Sequence, residues 1–231
     1  MARKPAYWIF VRIPLWTLVA SILLVTLLKW VPVRYTPVML KRAFQFRKVE
    51  NYHTVQKWVS LDDMSPELIK AAIACEDNRF CEHKGFDWKE IRQMLAGHKA
   101  KGTRIRGCST ISQQTAKNVF TFGTRTWIRK APEMYWTILI ELIWGKRRIM
   151  EVYLNVVETG QGIYGMEAAA KSYYGTSAGS LDRKQAVAIA VCLPSPLINN
   201  PNRLTNNLIQ RQKQIMALIP KISFPEWAKG L

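Results

Sequence analysis

The feature that most constrains this chain is an apolar run without a single charge, IPLWTLVASILLVTLL, from Ile13 to Leu28. A helix needs about 20 apolar residues to cross a bilayer, and apolar neighbours extend the run on both sides. We therefore predict a transmembrane anchor over residues 13–33, preceded by a short cytoplasmic segment over residues 1–12. No small-x-small cleavage motif follows, which favours an uncleaved anchor over a removed signal peptide. A buried core helix is the remaining alternative.

The balance of charge narrows the class of partner. The chain has 34 Lys and Arg against 16 Asp and Glu, a formal net charge of +18. Such an excess indicates nucleic acid, an anionic membrane surface or a phosphate-bearing substrate. No nucleic-acid-binding motif accompanies the charge, and the predicted anchor argues against a nucleic-acid partner. Arg3 and Lys4 favour a cytoplasmic N-terminus, although basic residues after the run weaken that assignment.

Beyond a basic connector over residues 34–60, capping patterns predict a mainly α domain over residues 61–231. Ser65 and Pro66 are typical of an N-cap and a first helical residue. Thr110 and Gln113 fit a capping box, and Asp182 is predicted to cap a later apolar helix. The glycine-rich stretch ETGQGIYG and the stretch FTFGTRT predict loops, the second of them mobile. Little in the sequence favours a sheet.

The first predicted helix, which we expect to run towards Arg79, carries a carboxylate on its apolar side. Glu76 falls at helical spacing in the same stripe as Ile73 and Phe80. Its neighbour Asp77 is turned by about 100° and should point aside. An inward carboxylate is costly unless it is partnered, and such groups are candidates for acid–base chemistry. The alternative is a glutamate at a helix end that reaches water or an arginine.

Cysteines and a histidine around these acids raise a metal-site hypothesis. The spacing of Cys75, Cys81 and His83 matches no common zinc pattern. We therefore predict no metal site, and His83 is expected to be a structural hydrogen-bonding residue.

Two further groups of residues could hold an anionic substrate. Ser109 and Thr110 open a helix whose free N–H groups attract anions, and Gln114 and Lys117 share a face of it. A polar solvated helix is the alternative. In the third group, Arg129 and Lys130 lie at a predicted helix start, where cations are unfavourable, and Glu133 follows one turn later. Sequence spacing does not show whether Glu76 and Glu133 meet.

These residues lie in motifs that resemble those of glycosyltransferase family 51, the bacterial peptidoglycan glycosyltransferases, most closely the monofunctional biosynthetic branch. EDNRFCEHKGFD fits EDxxFxxHxGxD, and GCSTISQQTAKN fits GxSTITQQxxKN with Ser112 in place of threonine. RKAPEMYWTILIELIWGKRRIMEVYLN, GQGIYGMEAAAKSYYG and AVAIAVCLPSPLINNP match the other three motifs. Five motifs in order form a specific pattern. The departures are Cys108 for glycine, Thr115 for leucine and Thr176 for lysine.

The resemblance implies a lysozyme-like, mainly α, bilobal glycosyltransferase domain preceded by one N-terminal transmembrane helix. It implies polymerisation of lipid II into β-1,4 glycan strands, with inversion at the anomeric carbon and release of undecaprenyl pyrophosphate. Transpeptidase activity is not expected, because the chain has no SxxK motif. The implied location is the bacterial inner membrane, with a single pass and the catalytic domain on the periplasmic side.

Residue roles follow from the resemblance position by position. Glu76 would be the general base and Glu133 a second catalytic carboxylate. The implied substrate-binding residues are Ser109, Thr110, Gln114, Lys117, Arg129 and Lys130, and the implied supporting residues are Asp77, Phe80, His83 and Asn118. No cofactor is required, with Mg²⁺ or Mn²⁺ as an option at the pyrophosphate. The implied partners are lipid II, the growing glycan chain and membrane lipids, with other cell-wall synthesis or division proteins as candidates.

Two other functional classes compete with this interpretation. A lysozyme-like hydrolase would also use glutamates in a cleft, but it would have no use for the group of cations. A non-catalytic, membrane-anchored scaffold would not depend on Glu76. Incubation with lipid II separates synthesis from lysis, and an amide at position 76 separates an enzyme from a scaffold.

Overall fold

The computed structural model describes residues 11–50, 52–101, 109–123 and 130–228. These residues are mainly α-helical, as predicted, and they include one small sheet. The lysozyme-like bilobal form and the domain limits stay predictions. The helices are α1 (Ile13–Leu28), α2 (Pro37–Gln45), α3 (Pro66–Glu76), α4 (Trp88–Lys101), α5 (Ile111–Phe120), α6 (Lys130–Ile143), α7 (Gly145–Val156), α8 (Met166–Tyr174), α9 (Arg183–Cys192) and α10 (Asn206–Leu218). The strands are β1 (Val55–Gln56), β2 (Glu158–Gly160) and β3 (Ile163–Tyr164).

The predicted helix starts are confirmed by their side-chain caps. The Ser65 hydroxyl accepts a hydrogen bond from the Glu67 amide, and Pro66 is the first residue of α3. Full capping boxes open α5 at Thr110 and α9 at Asp182. These caps satisfy amides that have no partner inside the helix.

The core lies between two groups of helices. Helix α3 packs against α9, whose residues from Ala186 to Cys192 are all buried. Helix α5 packs against both α6 and α7. Fully buried side chains, among them Ile111, Ile140 and Tyr153, fill the space between these helices. Because α3 and α5 both belong to this core, the residues at their ends are held on a rigid frame.

The small sheet is a feature that the sequence did not predict. Strand β3 lies between β1, which is parallel to it, and β2, which is antiparallel. Two or three residues per strand are too few to show a period-two pattern. Gly162 has φ +75°, and a Cβ there would overlap the His53 carbonyl oxygen, so the turn between β2 and β3 requires glycine.

Other boundaries also differ from the prediction. Helix α2 lies inside the predicted connector, and α4 follows the first motif without having been predicted. Helix α3 ends at Glu76 instead of running towards Arg79, because Asp77 leaves the helical region with φ −162°. Phe120 of the predicted mobile loop is the last residue of α5, and residues 124–126 of that loop lie outside the described residues.

Helix α1 covers only part of the predicted transmembrane segment. It has 16 residues, which corresponds to about 24 Å at 1.5 Å per residue. Among the residues described, no helix combines the length and apolar character needed for a membrane crossing. The predicted span over residues 13–33 is therefore not confirmed.

Among the described residues, three hydrogen bonds join α1 to the rest of the fold. The Trp144 indole N–H donates to the Val25 carbonyl at 2.7 Å, and Arg148 donates to the Leu28 carbonyl at 2.8 Å. Ser21 hydrogen-bonds Tyr135 of α6. Arg148 pairs with the carbonyl of the last residue of α1 and therefore caps its C-terminus. Trp144 adds a second donor to the Val25 carbonyl, which also accepts from the Lys29 amide.

The helix caps allow a stability test at a distance from the motifs around Glu76. Asp182→Ala removes the acceptor for the Gln185 amide, a bond of 2.8 Å. We expect the free energy of unfolding to fall by about 1 kcal/mol. Chemical denaturation measures the change, and Lys184→Ala on the same exposed helix start is the control, with a change within about 0.5 kcal/mol. Equal losses in both variants would contradict a capping role for Asp182.

Candidate active site

Glu76 is the last residue of α3 and lies half-buried at the end of that helix. Its Oε2 atom accepts a hydrogen bond of 2.9 Å from the Gln114 side-chain amide. Burial raises the pKa of Glu76 above its usual value, while the Gln114 hydrogen bond and the charges of Arg211 and Lys117 act against that rise. A carboxyl group with a raised pKa is suited to exchanging protons near neutral pH.

Asp77 has a different environment, and the prediction that it points aside is wrong. It is more deeply buried than Glu76, with 4% of its surface exposed. Its carboxylate accepts hydrogen bonds from His83 Nε2 at 3.0 Å and from the Ile111 amide at 3.0 Å. Because α3 ends at Glu76, the helical rotation of 100° per residue does not apply to Asp77.

The Ile111 amide belongs to the first turn of α5, so Asp77 connects the C-terminal end of α3 to the N-terminal end of α5. Thr110 adds a second connection between the two motifs, since its hydroxyl donates to the Gly85 carbonyl at 2.6 Å. Gly85 has φ +89°, and a Cβ there would lie 2.8 Å from the Thr137 methyl carbon. The first and second motifs are therefore held against each other, and this contact sets the position of Gln114.

Glu133 and Lys130 form a second cluster at the start of α6. Glu133 is buried with 2% of its surface exposed, and its Oε2 lies 3.3 Å from Lys130 Nζ. Lys130 Nζ also donates to the Ser109 hydroxyl at 3.4 Å. Arg129, the remaining predicted cation of this cluster, lies outside the described residues.

Gln114 connects the two clusters. Its side-chain amide donates to Glu76 and also reaches the Ser109 carbonyl at 3.4 Å. The structure therefore links Glu76 to Glu133 through Gln114, Ser109 and Lys130. Sequence spacing alone did not show whether the two carboxylates belong to one site, and the described contacts bring them into one network.

A polar cleft of about 590 Å³ adjoins this network. Gln114, Lys117 and Asn118 of α5 line one part of it. The remaining lining residues are Val38, Lys41, Arg42, Gln45, Phe122, Gly123, Val157, Glu158, Leu193, Pro194 and Pro196. Three lysine and arginine side chains around one cleft make it suited to a ligand that carries phosphate groups.

Four polar residues of this cleft are not predicted from the sequence: Lys41, Arg42, Gln45 and Glu158. Arg42 lies 3.2 Å from Glu158, whose other oxygen lies 3.4 Å from the Tyr164 hydroxyl. Burial raises the pKa of Glu158. The sequence shows Lys41 and Arg42 as neighbouring cations in a predicted connector, and only the presence of α2 places both at the cleft.

Phe80 and its neighbours form the support behind the first motif. Phe80 is fully buried, and Lys146 lies 4.4 Å from the centre of its ring. Lys146 also pairs with Glu141 at 2.6 Å, and Glu141 accepts a hydrogen bond from Ser112. Ser112 replaces the threonine of the motif, and its hydroxyl still donates a hydrogen bond to Glu141.

Metal binding gains no support from the cysteines. Over the ranges that the structure describes, no group of three or more His, Cys, Asp or Glu side chains could hold a metal ion. Cys75, Cys81 and Cys192 carry free thiols, and Cys108 lies outside the described residues.

Fold and site together define a mainly helical enzyme with a partnered carboxylate beside a cation-lined cleft. The sequence profile of the transglycosylase family matches residues 42–219. The chain belongs to this family and is a glycosyltransferase.

Relatives of similar length support this assignment. A biosynthetic peptidoglycan transglycosylase of Bacteroides thetaiotaomicron is 48% identical, with 87% of this chain and 83% of the relative covered. A protein of the same name from Caulobacter vibrioides is 47% identical, with 75% and 73% covered. One from Stutzerimonas stutzeri is 40% identical, with 94% of both chains covered. The similarity therefore extends over most of the chain.

The unequal environments of Glu76 and Asp77 predict unequal effects of an amide at each position. Asp77→Asn leaves one oxygen where two buried donors need acceptors, and we expect a loss of about 1–3 kcal/mol in unfolding free energy. Glu76→Gln keeps an acceptor for Gln114 and removes a carboxylate whose ionised form burial disfavours. Its unfolding free energy at neutral pH should stay equal or rise.

Linkage between protonation and folding sets the sign of the Glu76 effect. A folded-state pKa above the unfolded value means that stability falls as pH rises through the interval between the two values, so the ionised Glu76 costs stability at neutral pH. Denaturant titrations of both variants measure the difference. A larger loss in Glu76→Gln than in Asp77→Asn would contradict the assignment.

Proposed function

We propose that this enzyme is a peptidoglycan glycosyltransferase that polymerises lipid II into β-1,4 glycan strands, with inversion and release of undecaprenyl pyrophosphate. The observation that carries the proposal is Glu76, a carboxylate with a raised pKa that is hydrogen-bonded to Gln114, which itself lines a cleft that contains three cations. Relatives named biosynthetic peptidoglycan transglycosylases over most of the chain support the choice of polymer.

In the proposed reaction Glu76 takes the proton from the 4-hydroxyl of the acceptor sugar. The hydroxyl oxygen attacks the anomeric carbon of the growing chain, and the bond to pyrophosphate breaks with its electron pair on the leaving oxygen. Glu76 is matched to this step because its pKa lies above the usual glutamate value and therefore closer to neutrality.

Lys117 and Lys130 would stabilise the charge that develops on the pyrophosphate, with Arg129 as a third candidate. Such preorganised cations lower the barrier most when they face the charge of the transition state. Glu133 would hold Lys130 in place through their contact of 3.3 Å. Ser109, Thr110 and Gln114 would line the donor site, and Asp77, Phe80, His83 and Asn118 would support it.

We propose no required cofactor, because protein cations supply the charge that the leaving group needs. A divalent cation, Mg²⁺ or Mn²⁺, would be bound by the pyrophosphate oxygens. We propose no transpeptidase activity for this chain. Other cell-wall proteins would cross-link the peptides, and these proteins are also the candidate partners.

Attachment to the inner membrane from the periplasmic side is part of the proposal. Apolar side chains of α1 face outward, including Trp16 with 65% and Leu23 with 64% of their surface exposed. Exposed apolar residues of this size favour contact with lipid. The net charge of +18 suits an anionic membrane surface and a substrate that carries phosphates.

The direct test is turnover of purified lipid II by the detergent-solubilised enzyme. We expect the wild type to form glycan polymer and release undecaprenyl pyrophosphate, and we expect Glu76→Gln to lose about 10²- to 10⁴-fold in rate. Glu82→Gln is the matched control and should keep full activity, because Glu82 lies exposed in the same motif and pairs with the Arg79 side chain. Shortening of preformed glycan without polymer formation would establish a hydrolase, and the absence of any reaction in the wild type would point to a scaffold. Full activity of Glu76→Gln would exclude Glu76 as the general base.

The raised pKa of Glu76 predicts the pH dependence of polymerisation. The base must be ionised, so kcat/KM should fall as pH drops through a pKa above the usual glutamate value of 4.5. A pH series on lipid II turnover gives the position of this acid limb. An acid limb at or below 4.5 would contradict a buried carboxylate as the base.

A further inference from the structure

Arg211 lies on α10, outside the five motifs, and contacts the end of the helix that carries Glu76. Its Nη2 atom donates to the Cys75 carbonyl at 3.1 Å and lies 3.7 Å from the Cys75 sulfur. Cys75 immediately precedes Glu76, and its carbonyl is one of the last four of α3, which have no partner within the helix. Arg211 therefore caps the C-terminus of α3 with a cation, the charge that the helix dipole favours there.

Arg211 also acts on Glu76 through its charge. Burial raises the pKa of Glu76, and among the charged side chains Arg211 opposes this rise more strongly than Lys117. Both cations favour the ionised carboxylate. They differ in position, since Lys117 is one of the residues that line the cleft and Arg211 contacts the backbone of α3 instead.

The other titratable groups that face Glu76 do not replace this charge. Cys75 belongs to the same helix, and burial raises the pKa of its thiol to about 12, so its hydrogen bond to Glu76 favours the ionised carboxylate without adding a positive charge. Tyr153 of α7 is fully buried, and its pKa is raised well above its ordinary value.

The neighbouring charged groups are bonded elsewhere. Asp77 follows Glu76 and is hydrogen-bonded to His83 and the Ile111 amide. On α9, Arg183 pairs with Glu67 at the opposite end of α3.

A phosphate-bearing substrate makes the two cations unequal. Lys117 lies where the pyrophosphate of a substrate would bind, so its positive charge would be offset once the cleft is occupied. Arg211 is bound to the backbone of α3 and would keep its charge available to Glu76. The cation that contacts the helix end is thus the one that acts on the base in the loaded enzyme.

We propose that Arg211 is a positioning residue of the glycosyltransferase, which fixes the last turn of α3 and keeps the Glu76 carboxylate ionised while anionic substrate fills the cleft. The inference rests on the proposed function of Glu76 as the base. It assigns a role to the C-terminal helix, which supplies no residue to the predicted catalytic set.

The experiment compares Arg211→Gln, Arg211→Lys and the control Lys213→Gln, which removes an exposed cation from the same helix. For each, kcat/KM for lipid II polymerisation is measured from mildly acidic to mildly alkaline pH. We expect the acid limb of Arg211→Gln to move to higher pH and the rate to recover at alkaline pH. Below the limb, the rate should fall about tenfold for each pH unit by which the limb moves. Arg211→Lys should lie between Arg211→Gln and the wild type, and Lys213→Gln should match the wild type.

A second measurement keeps this inference separate from the proposed substrate. The protonation midpoint of Glu76 is followed by NMR in protein labelled with carbon-13 glutamate, and Glu76→Gln identifies the resonance. The midpoint should rise in Arg211→Gln without any substrate present. Coincident midpoints would overturn the inference, as would a loss of rate by the same factor at every pH together with a lowered melting temperature. If lipid II is not polymerised by the wild type, the proposed function fails while the NMR result still decides the role of Arg211.

Discussion

The rest of the site depends on the hydrogen bonds of the buried Asp77 carboxylate, which connect the end of α3 to the start of α5. This carboxylate receives the Ile111 amide from the start of α5 and the imidazole of His83 from the turn that follows α3. This places the C-terminal end of α3, where Glu76 lies, against the first turns of α5, where Gln114 lies. Breaking these two buried hydrogen bonds would leave buried polar groups without partners, which is costly. The relative position of Glu76 and Gln114 is therefore well determined.

A continuous set of polar contacts extends from Glu76 to the second carboxylate, Glu133. Gln114 bridges Glu76 and the Ser109 backbone, and Lys130 bridges Ser109 and Glu133. Both carboxylates are at least half-buried, but their direct partners differ, since Glu76 accepts a hydrogen bond from the neutral Gln114 amide and Glu133 pairs with the Lys130 cation. Two carboxylates with different surroundings can have different roles in one reaction. This difference supports a base at Glu76 and an orienting group at Glu133.

The site also depends on segments that lie outside its motifs. Arg42 and Lys41 on α2 line the cleft together with residues of α5, and Glu158 reaches it from the small sheet. Arg211 reaches the end of α3 from the C-terminal helix. A site built only from the five motifs would omit these cations, and with Lys41 and Arg42 it would omit part of the positive charge that lines the cleft. The family motifs thus include the residues at the centre of the site but omit residues of α2 and α10 that line or support it.

The sequence by itself determined the mainly α class, the capped starts of α3, α5 and α9, and the family, because capping residues and motif spacing are local properties of the chain. It also singled out Glu76, through a helical period that holds up to the end of α3. The tertiary structure decided that Asp77 is buried, that Glu76 and Glu133 belong to one network, and that α2, β2 and α10 contribute residues to the site or its support. Those outcomes depend on where α3 stops and on which distant segments pack together. Neither is encoded in the spacing of neighbouring residues, since contacts between segments far apart in sequence are set by packing of the whole core.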